Sequence, residues 1–433
     1  MTRPFTILLL LLVLVVPCFA ETFPKTLGHV ELADGDTLVF LGDSITHQCL
    51  YTQYVEDYFY TRYPNRRIRF HNAGVSGDQA RDALIRFDED IAKFKPKYVT
   101  VLIGMNDGHY EPFDNETFNT YKKDMTELMD RIAAIDATAI IMTPTMYDMR
   151  PALMGENWLK PEQIKGMHYN ATLAFFGAWV LEQANERGLG FVNMYEPLNR
   201  PTREQRKADP AFTMIGDAVH PGPDGQLVMA LALLNDIGAD PVVSSINIVR
   251  DGDRWITEAE NGTLSDVSAD KISFTFTANS LPWAVPEEAA LGYTITNAGQ
   301  RMSRETLRVT GLSPGRYELR IDGDTVGVYD HLELSAGVEL QANDKTPQHA
   351  QSMQVAELNK QRNEKAIRRL RDYWLGLKQN RADLEASTEK ATKWYAQFKK
   401  AVPELHDRVR EFEDEIHQIN KPKPHKYEIL KAE

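Results

Sequence analysis

The sequence predicts an α/β protein in which a parallel sheet is covered by helices on both faces, followed by a small antiparallel β domain and a C-terminal helical region. Three observations carry this prediction. Between Thr37 and about Ile237, short apolar runs alternate with amphipathic stretches, as strands and helices do around a parallel sheet. After Asp240-Pro241, apolar and polar residues alternate one by one in short runs separated by turn residues, the mark of half-buried strands. From about Thr346 the chain is charged, holds almost no glycine and repeats apolar residues at three-and-four spacing, which is helical periodicity.

The strands of the first part fall at 37–41, 68–71, 98–103, 139–143 and 191–192, and helix-like stretches lie near 45–63, 79–94, 116–135 and 161–187. A last helix is expected from Pro223 or Asp224, because proline and aspartate suit a first turn. In the second part the runs 242–249, 271–278, 306–310 and 317–321 read as strands, with turns at Ser313-Pro314-Gly315 and Asp322-Gly323. An Asp-Gly pair suits a tight hairpin. In the third part Ile367, Leu370, Trp374 and Leu377 form one apolar series. Tyr395, Phe398, Val402, Leu405, Val409, Phe412, Ile416 and Ile419 form another. Pro403 interrupts the second series and is expected to start a new helix. A hairpin or short bundle results, packing on itself or on the rest of the protein, with a dimerising coiled coil as the alternative. The tail from Lys421, with Pro422 and Pro424, reads as loose. The expected division is therefore a signal peptide over 1–20, a first domain over 21–240, a β domain over 241–345 and a helical region over 346–433.

The chain has 433 residues, 42% hydrophobic and 26% charged, enough for two or three domains with a sizeable core. Its net charge of −13 argues against nucleic acid as a partner, since phosphate binding needs an excess of lysine and arginine. The same charge gives no pull toward anionic lipid. At the start, Arg3 precedes an apolar run from Phe5 to Val16, then Pro17-Cys18-Phe19-Ala20 and a polar Glu21. That is the pattern of a secretory signal cut after Ala20, and the run is short against the roughly 20 residues of a membrane span. Pro17 fits lipid anchoring at Cys18 poorly, so a secreted or periplasmic location without integral membrane contact is expected. Cleavage would leave Cys49 as the only cysteine, unable to form an internal disulfide and read as a small buried apolar group.

Ligands of a parallel sheet bind at the carboxyl ends of its strands, so chemistry is sought there. The first run ends in Gly42-Asp43-Ser44-Ile45, which sets Ser44 where the next helix begins. A hydroxyl there stands among the free N–H groups of a first helical turn, a good place for a nucleophile whose reaction develops an oxyanion. The competing reading is that Ser44 is an N-cap. The second run ends in His71-Asn72-Ala73-Gly74 and the third in Gly104-Met105-Asn106-Asp107. Gly74 can bring its backbone N–H close to a substrate and Asn106 can donate through its amide, or both residues shape loops only. Finally, Asp217-Ala218-Val219-His220 lets a carboxylate fold back onto an imidazole, leaving the other ring nitrogen for Ser44. Ser76, in Gly74-Val75-Ser76-Gly77, is one residue short of a Gly-x-Ser-x-Gly elbow. His47, His71 and His109 lack the spaced partners of a metal site.

In this order Gly42-Asp43-Ser44, Gly74, Gly104-x-Asn106-Asp107 and Asp217-x-x-His220 resemble the four blocks of the SGNH hydrolases, also called GDSL-type esterases and lipases, over about residues 35–240. Ile45 stands where the family name has leucine, a side chain that does not react. The resemblance implies a flavodoxin-like three-layer α/β/α sandwich. It implies Ser44 as nucleophile and first oxyanion donor, Gly74 and Asn106 as further donors, His220 as general base and Asp217 as its orienting acid. It also implies ester hydrolysis through an acyl-enzyme, with no metal or organic cofactor, on a small ester or acylated saccharide. Export, an acidic chain and an accessory β domain favour carbohydrate deacetylation over a lipid-directed lipase or lysophospholipase. The aromatics and methionines of 146–158 suit either as a pocket wall. The alternative of another class is an inactive binding or scaffold module, with self-association through the C-terminal helices.

Overall fold

The structure is a computed structural model that describes residues 26–153 and 168–432. The expected signal segment with Cys18, and the part of the expected pocket wall from 154 to 158, lie outside the described residues. The first part runs β1 (Thr37–Gly42), α1 (Ser44–His47), α2 (Leu50–Arg62), β2 (Arg69–Gly74), α3 (Ala80–Ile85), α4 (Phe87–Asp90), β3 (Tyr98–Leu102), α5 (Asn115–Ala134), β4 (Thr138–Met142), α6 (Met149–Leu153), α7 (Tyr169–Arg187), β5 (Gly190–Val192), α8 (Tyr195–Gln205) and α9 (Pro223–Asp236). The five strands form one parallel sheet in the order β2-β1-β3-β4-β5.

All six residues of β1 are buried, because helices cover both faces and leave no side for polar residues. Leu38 and Phe40 pack with Tyr54, Tyr58, Leu227 and Leu231 of α2 and α9. Val39 and Leu41 point the other way, into a core with Met125, Leu128, Phe176 and Val180 of α5 and α7. This is a three-layer α/β/α domain. The stretch expected as one helix over 45–63 is broken at Cys49, whose φ of 64° lies in the left-handed region, so a short α1 meets α2 at an angle.

The second part comprises β6 (Val242–Asp251), β7 (Arg254–Glu260), β8 (Gly262–Ser265), β9 (Ser273–Ala278), α10 (Ala290–Ile295), α11 (Ala298–Met302), β10 (Arg304–Thr310), β11 (Arg316–Ile321), β12 (Asp324–Asp330), α12 (His331–Ala336) and β13 (Val338–Glu339). The third comprises α13 (Pro347–Arg362), a π turn at Asn363–Ile367, α14 (Arg368–Gln379), α15 (Arg381–Glu385), α16 (Glu389–Ile419) and β14 (His425–Lys431). The β strands make two sheets, β13-β10-β6-β7 and β12-β11-β14-β9-β8. They share one core, in which Ile246, Ile248, Leu307 and Val309 meet Phe274, Leu319, Tyr427 and Ile429. Their pairings are antiparallel except β6 with β10.

Two expectations are corrected here. The tail read as loose is β14, an inner strand that pairs antiparallel with both β11 and β9. Tyr427 and Ile429 face the core, while Pro422 and Pro424 precede the strand rather than interrupt it. Pro403 starts no helix but lies inside α16, which runs unbroken for 31 residues. Proline removes one helical hydrogen bond, and burial of Phe398, Val409, Phe412 and Ile416 on either side holds the helix through that gap.

The helical region docks on the α/β domain through buried charge. Arg371 grips Asp90 with both terminal nitrogens, at 2.8 and 2.9 Å, and Asp90 also accepts from Arg86 and His71. Arg362 links Glu56 of α2 to Glu413 of α16. Trp283 joins the α2–α9 core and donates its indole N–H to Tyr54 O at 2.9 Å, so the stretch leading into α10 belongs physically with the first domain. Among the described residues no helix is long and apolar enough to cross a membrane.

Candidate active site

Strand β1 ends at Gly42 beside Gly74, its register partner at the end of β2. A Cβ on Gly42 would lie 2.0 Å from Thr46 Oγ1, and one on Gly74 would lie 2.4 Å from His47 N. Only glycine at both strand ends lets α1 lie across the sheet edge. The cap of α1 is Asp43, whose Oδ1 accepts from Ile45 N at 3.0 Å. Ser44 is thereby not consumed as a cap and stands half-buried in the first turn. Burial pushes the Asp43 carboxyl up to about 7.

The loop before α9 brings the second group. Ala218 adopts a φ of 73°, which turns the chain so that Asp217 Oδ1 accepts from the N–H groups of Val219 and His220 at 3.0 and 2.7 Å. Asp217 Oδ2 lies 2.6 Å from His220 Nδ1, and His220 Nε2 lies 2.7 Å from Ser44 Oγ. Burial works to raise the Asp217 carboxyl, but the hydrogen bonds from the His220 ring and from the backbone outweigh it and hold the group below its usual range. The carboxylate is therefore ionised, so Nδ1 carries the ring hydrogen and donates it. Nε2 is left as the acceptor for the Ser44 hydroxyl. The structure thus brings Ser44, His220 and Asp217 into one hydrogen-bonded row across 176 residues of chain.

Asn106 follows β3 at the same sheet edge. Its Oδ1 accepts from Tyr110 Oη at 2.8 Å, which turns Nδ2 toward Asp78 O at 3.0 Å and Asp43 Oδ2 at 3.5 Å. The second contact sits at the outer limit of a hydrogen bond, so one amide hydrogen remains to donate.

Gly74 is a correction. Its N–H already donates to Asn72 Oδ1 at 2.9 Å, and its function is to admit α1. Along the following loop, Val75 N donates to Gly42 O, Ser76 N to His47 Nδ1, Asp78 N to Val75 O and Gln79 N to Asp82 Oδ2. Among the described residues, that leaves the N–H of Gly77 as the unengaged donor of the loop. Gly77 is exposed and has a φ of +73°. Its sequence signal is the Ser76-Gly77-Asp78 turn immediately after the strand.

His47 and His71 have structural surroundings, while His109 is exposed beside Gln79. His47 is buried, with Nδ1 accepting from Ser76 N at 3.2 Å and Nε2 facing Asp372 Oδ1 at 3.2 Å. Burial, helped by Arg371, lowers its pKa and keeps the ring neutral. His71 stacks on Phe94 at 3.6 Å. Ser76 Oγ also lies 3.2 Å from His47 Nδ1, but that nitrogen already takes the Ser76 N–H. Cys49 is buried, and burial pushes its thiol up to about 12. Among the described residues no group of three or more His, Cys, Asp or Glu is placed to hold a metal ion.

The fold is an α/β/α domain that gathers Ser44, His220 and Asp217 at the carboxyl ends of its strands. Residues 40–228 match the GDSL-like Lipase/Acylhydrolase family. An acetylxylan esterase of Geobacillus stearothermophilus is 26% identical over 234 residues, which cover 50% of this chain and 100% of that protein. Among solved structures, a gut microbial diltiazem-metabolizing enzyme is 28% identical with a TM-score of 0.80, the match covering 94% of this chain and 99% of that one. Residues 40–228 thus belong to the GDSL-like SGNH hydrolases, and the protein is a carboxylic ester hydrolase.

Proposed function

We propose that the protein is a serine esterase that removes acyl groups, acetyl foremost, from saccharides through a covalent acyl-enzyme. The observation that carries this reading is the row Ser44 Oγ, His220 Nε2, His220 Nδ1, Asp217 Oδ2, with spacings of 2.7 and 2.6 Å. His220 takes the hydroxyl proton as Ser44 Oγ attacks the ester carbonyl. The N–H groups of Ser44 and Gly77 and the amide of Asn106 receive the developing oxyanion. His220 then hands the proton to the departing alkoxide oxygen, and a water repeats the sequence on the acyl-enzyme to release the acid. The acetylxylan esterase relative supports acetylated saccharide as the substrate class. The whole-chain likeness to a diltiazem-metabolizing enzyme favours a second reading in which the same site also acts on diltiazem.

A fluorophosphonate probe tests the reaction without assuming the alcohol. A single covalent adduct mapping to Ser44 is expected; an adduct on Ser76, or none on the folded protein, would overturn the assignment. The low-lying Asp217 carboxyl yields a rate prediction. As the acceptor of the Nδ1 hydrogen it fixes the tautomer that leaves Nε2 free for Ser44, and Asp217→Asn removes that control. The kcat/KM of Asp217→Asn is expected to fall about 10²-fold. The fall is moderate because Asp217 is about one-third exposed, at 31%, and water can partly replace its oxygens. An unchanged kcat/KM would show that Asp217 does not act on His220.

A further inference from the structure

The Ser76–Gly77 peptide, which carries the unengaged N–H, is flanked by two peptides held from a distant part of the chain. On one side the N–H of Ser76 is fixed by His47, whose far nitrogen meets Asp372 of α14. On the other side Lys378, near the end of the same helix, donates to Gly77 O at 2.8 Å. Its remaining two hydrogens go to Asp78 Oδ1 and Asp82 Oδ2, both at 2.9 Å. An ammonium has three hydrogens, and here each has an acceptor on the loop after β2 or in the first turn of α3 that follows it. This is not a solvated surface pair, since the Lys378 side chain is 26% exposed and that of Asp78 is fully buried. Asp78 in turn offers its carbonyl to Asn106 Nδ2.

We propose that Lys378 is a positioning residue for ester hydrolysis, tying α14 to the loop that carries the Gly77 oxyanion donor and orients the Asn106 amide. Through Gly77 O it fixes the peptide next to the Gly77 N–H, and through Asp78 it fixes the carbonyl that orients the Asn106 amide. Glycine has no side chain to restrain its backbone, so at Gly77 the restraint comes from outside. The C-terminal helices are then part of the catalytic apparatus, although they contribute no atom that touches substrate. The inference deepens the acyl-transfer reading and rests on it.

The test uses the full chain, with turnover counted per active site titrated by fluorophosphonate. Misplacing reacting groups by about 1 Å costs about 10²-fold, and losing one oxyanion donor costs about 10²–10³-fold. Lys378→Met is therefore expected to lower kcat on p-nitrophenyl acetate by about 10–100-fold, with KM changed by less than about threefold. Phenylboronic acid, which forms a tetrahedral adduct on an active serine, is expected to lose affinity in proportion to kcat. Lys378→Arg, which keeps the charge and two donors, is expected to recover most of the loss. Lys365→Met serves as control, because among the described residues that exposed lysine bonds only Gln361, and its kcat is expected to match wild type. A purely structural Lys378 would reduce the number of titrated sites and leave kcat per site and boronate affinity unchanged, which would overturn the proposal. Should Ser44→Ala turn over like wild type, the acyl-transfer reading itself falls, and the Lys378 assignment with it.

Discussion

Ser44→Ala is expected to reduce kcat/KM on p-nitrophenyl acetate by about 10⁴-fold or more. In the proposed mechanism the substitution deletes the atom that forms the acyl-enzyme, and His220 could transfer a proton only by recruiting a water in place of the hydroxyl. The backbone N–H of residue 44 survives the change, as do Gly77 and Asn106, so substrate binding and part of the oxyanion stabilisation persist. KM should move far less than kcat. Stability should be nearly untouched, because Ser44 is half-buried and the helix cap belongs to Asp43. The measurement also separates an enzyme from a scaffold built on the same domain. Equal hydrolysis by wild type and Ser44→Ala, at equal melting temperature, would leave the hydrogen-bonded row without a catalytic role.

How much of this site is legible in sequence depends on how local its causes are. Asp217 and His220 are three residues apart, and the turn joining them is set by the intervening chain alone. Ser44 announces itself because a fully buried strand, read as a continuous apolar run, stops at Gly42 and a helix starts at once. The sheet is legible for the same reason, since strands buried on both faces need no polar alternation. Gly74 was misread because a glycine signals the absence of a side chain, not which backbone group is free. Only the folded position of the Asn72 side chain shows that its N–H is already taken. The Gly77 donor emerges by elimination among neighbours, which requires every hydrogen bond of the loop. Lys378 lies about 300 residues from the loop it holds, in a run where lysine is commonplace. Strand β14 is hidden in a similar way, with two core positions among charged residues and partners about a hundred or more residues earlier.

The largest stability effect is expected at Arg362, which joins the helical region to the α/β domain. Its side chain is fully buried, and its terminal nitrogens reach Glu56 Oε2 at 3.1 Å, Glu413 Oε1 at 2.7 Å and Phe70 O at 3.3 Å. The ion pairs themselves are a poor guide to net stabilisation, because desolvating three charges offsets most of their attraction. Removing only the cation is another matter. Arg362→Leu leaves the Glu56 carboxylate, 1% exposed, and that of Glu413 facing each other without compensation, at a cost of about 3–5 kcal/mol. The pH dependence distinguishes this cause from lost packing. Burial already raises the Glu413 carboxyl above its usual value, opposed by Arg362, so without the arginine it rises further. The folded variant then binds more protons than the unfolded chain, and its stability falls as pH climbs through the raised carboxyl pKa. The deficit against wild type, read from urea midpoints, should be larger at pH 8 than at pH 5. Adding Glu56→Gln and Glu413→Gln to Arg362→Leu should recover part of it and flatten the pH dependence, since no buried charge then remains to be protonated. A deficit independent of pH, or a triple variant no more stable than the single one, would assign the loss to packing rather than to stranded charge.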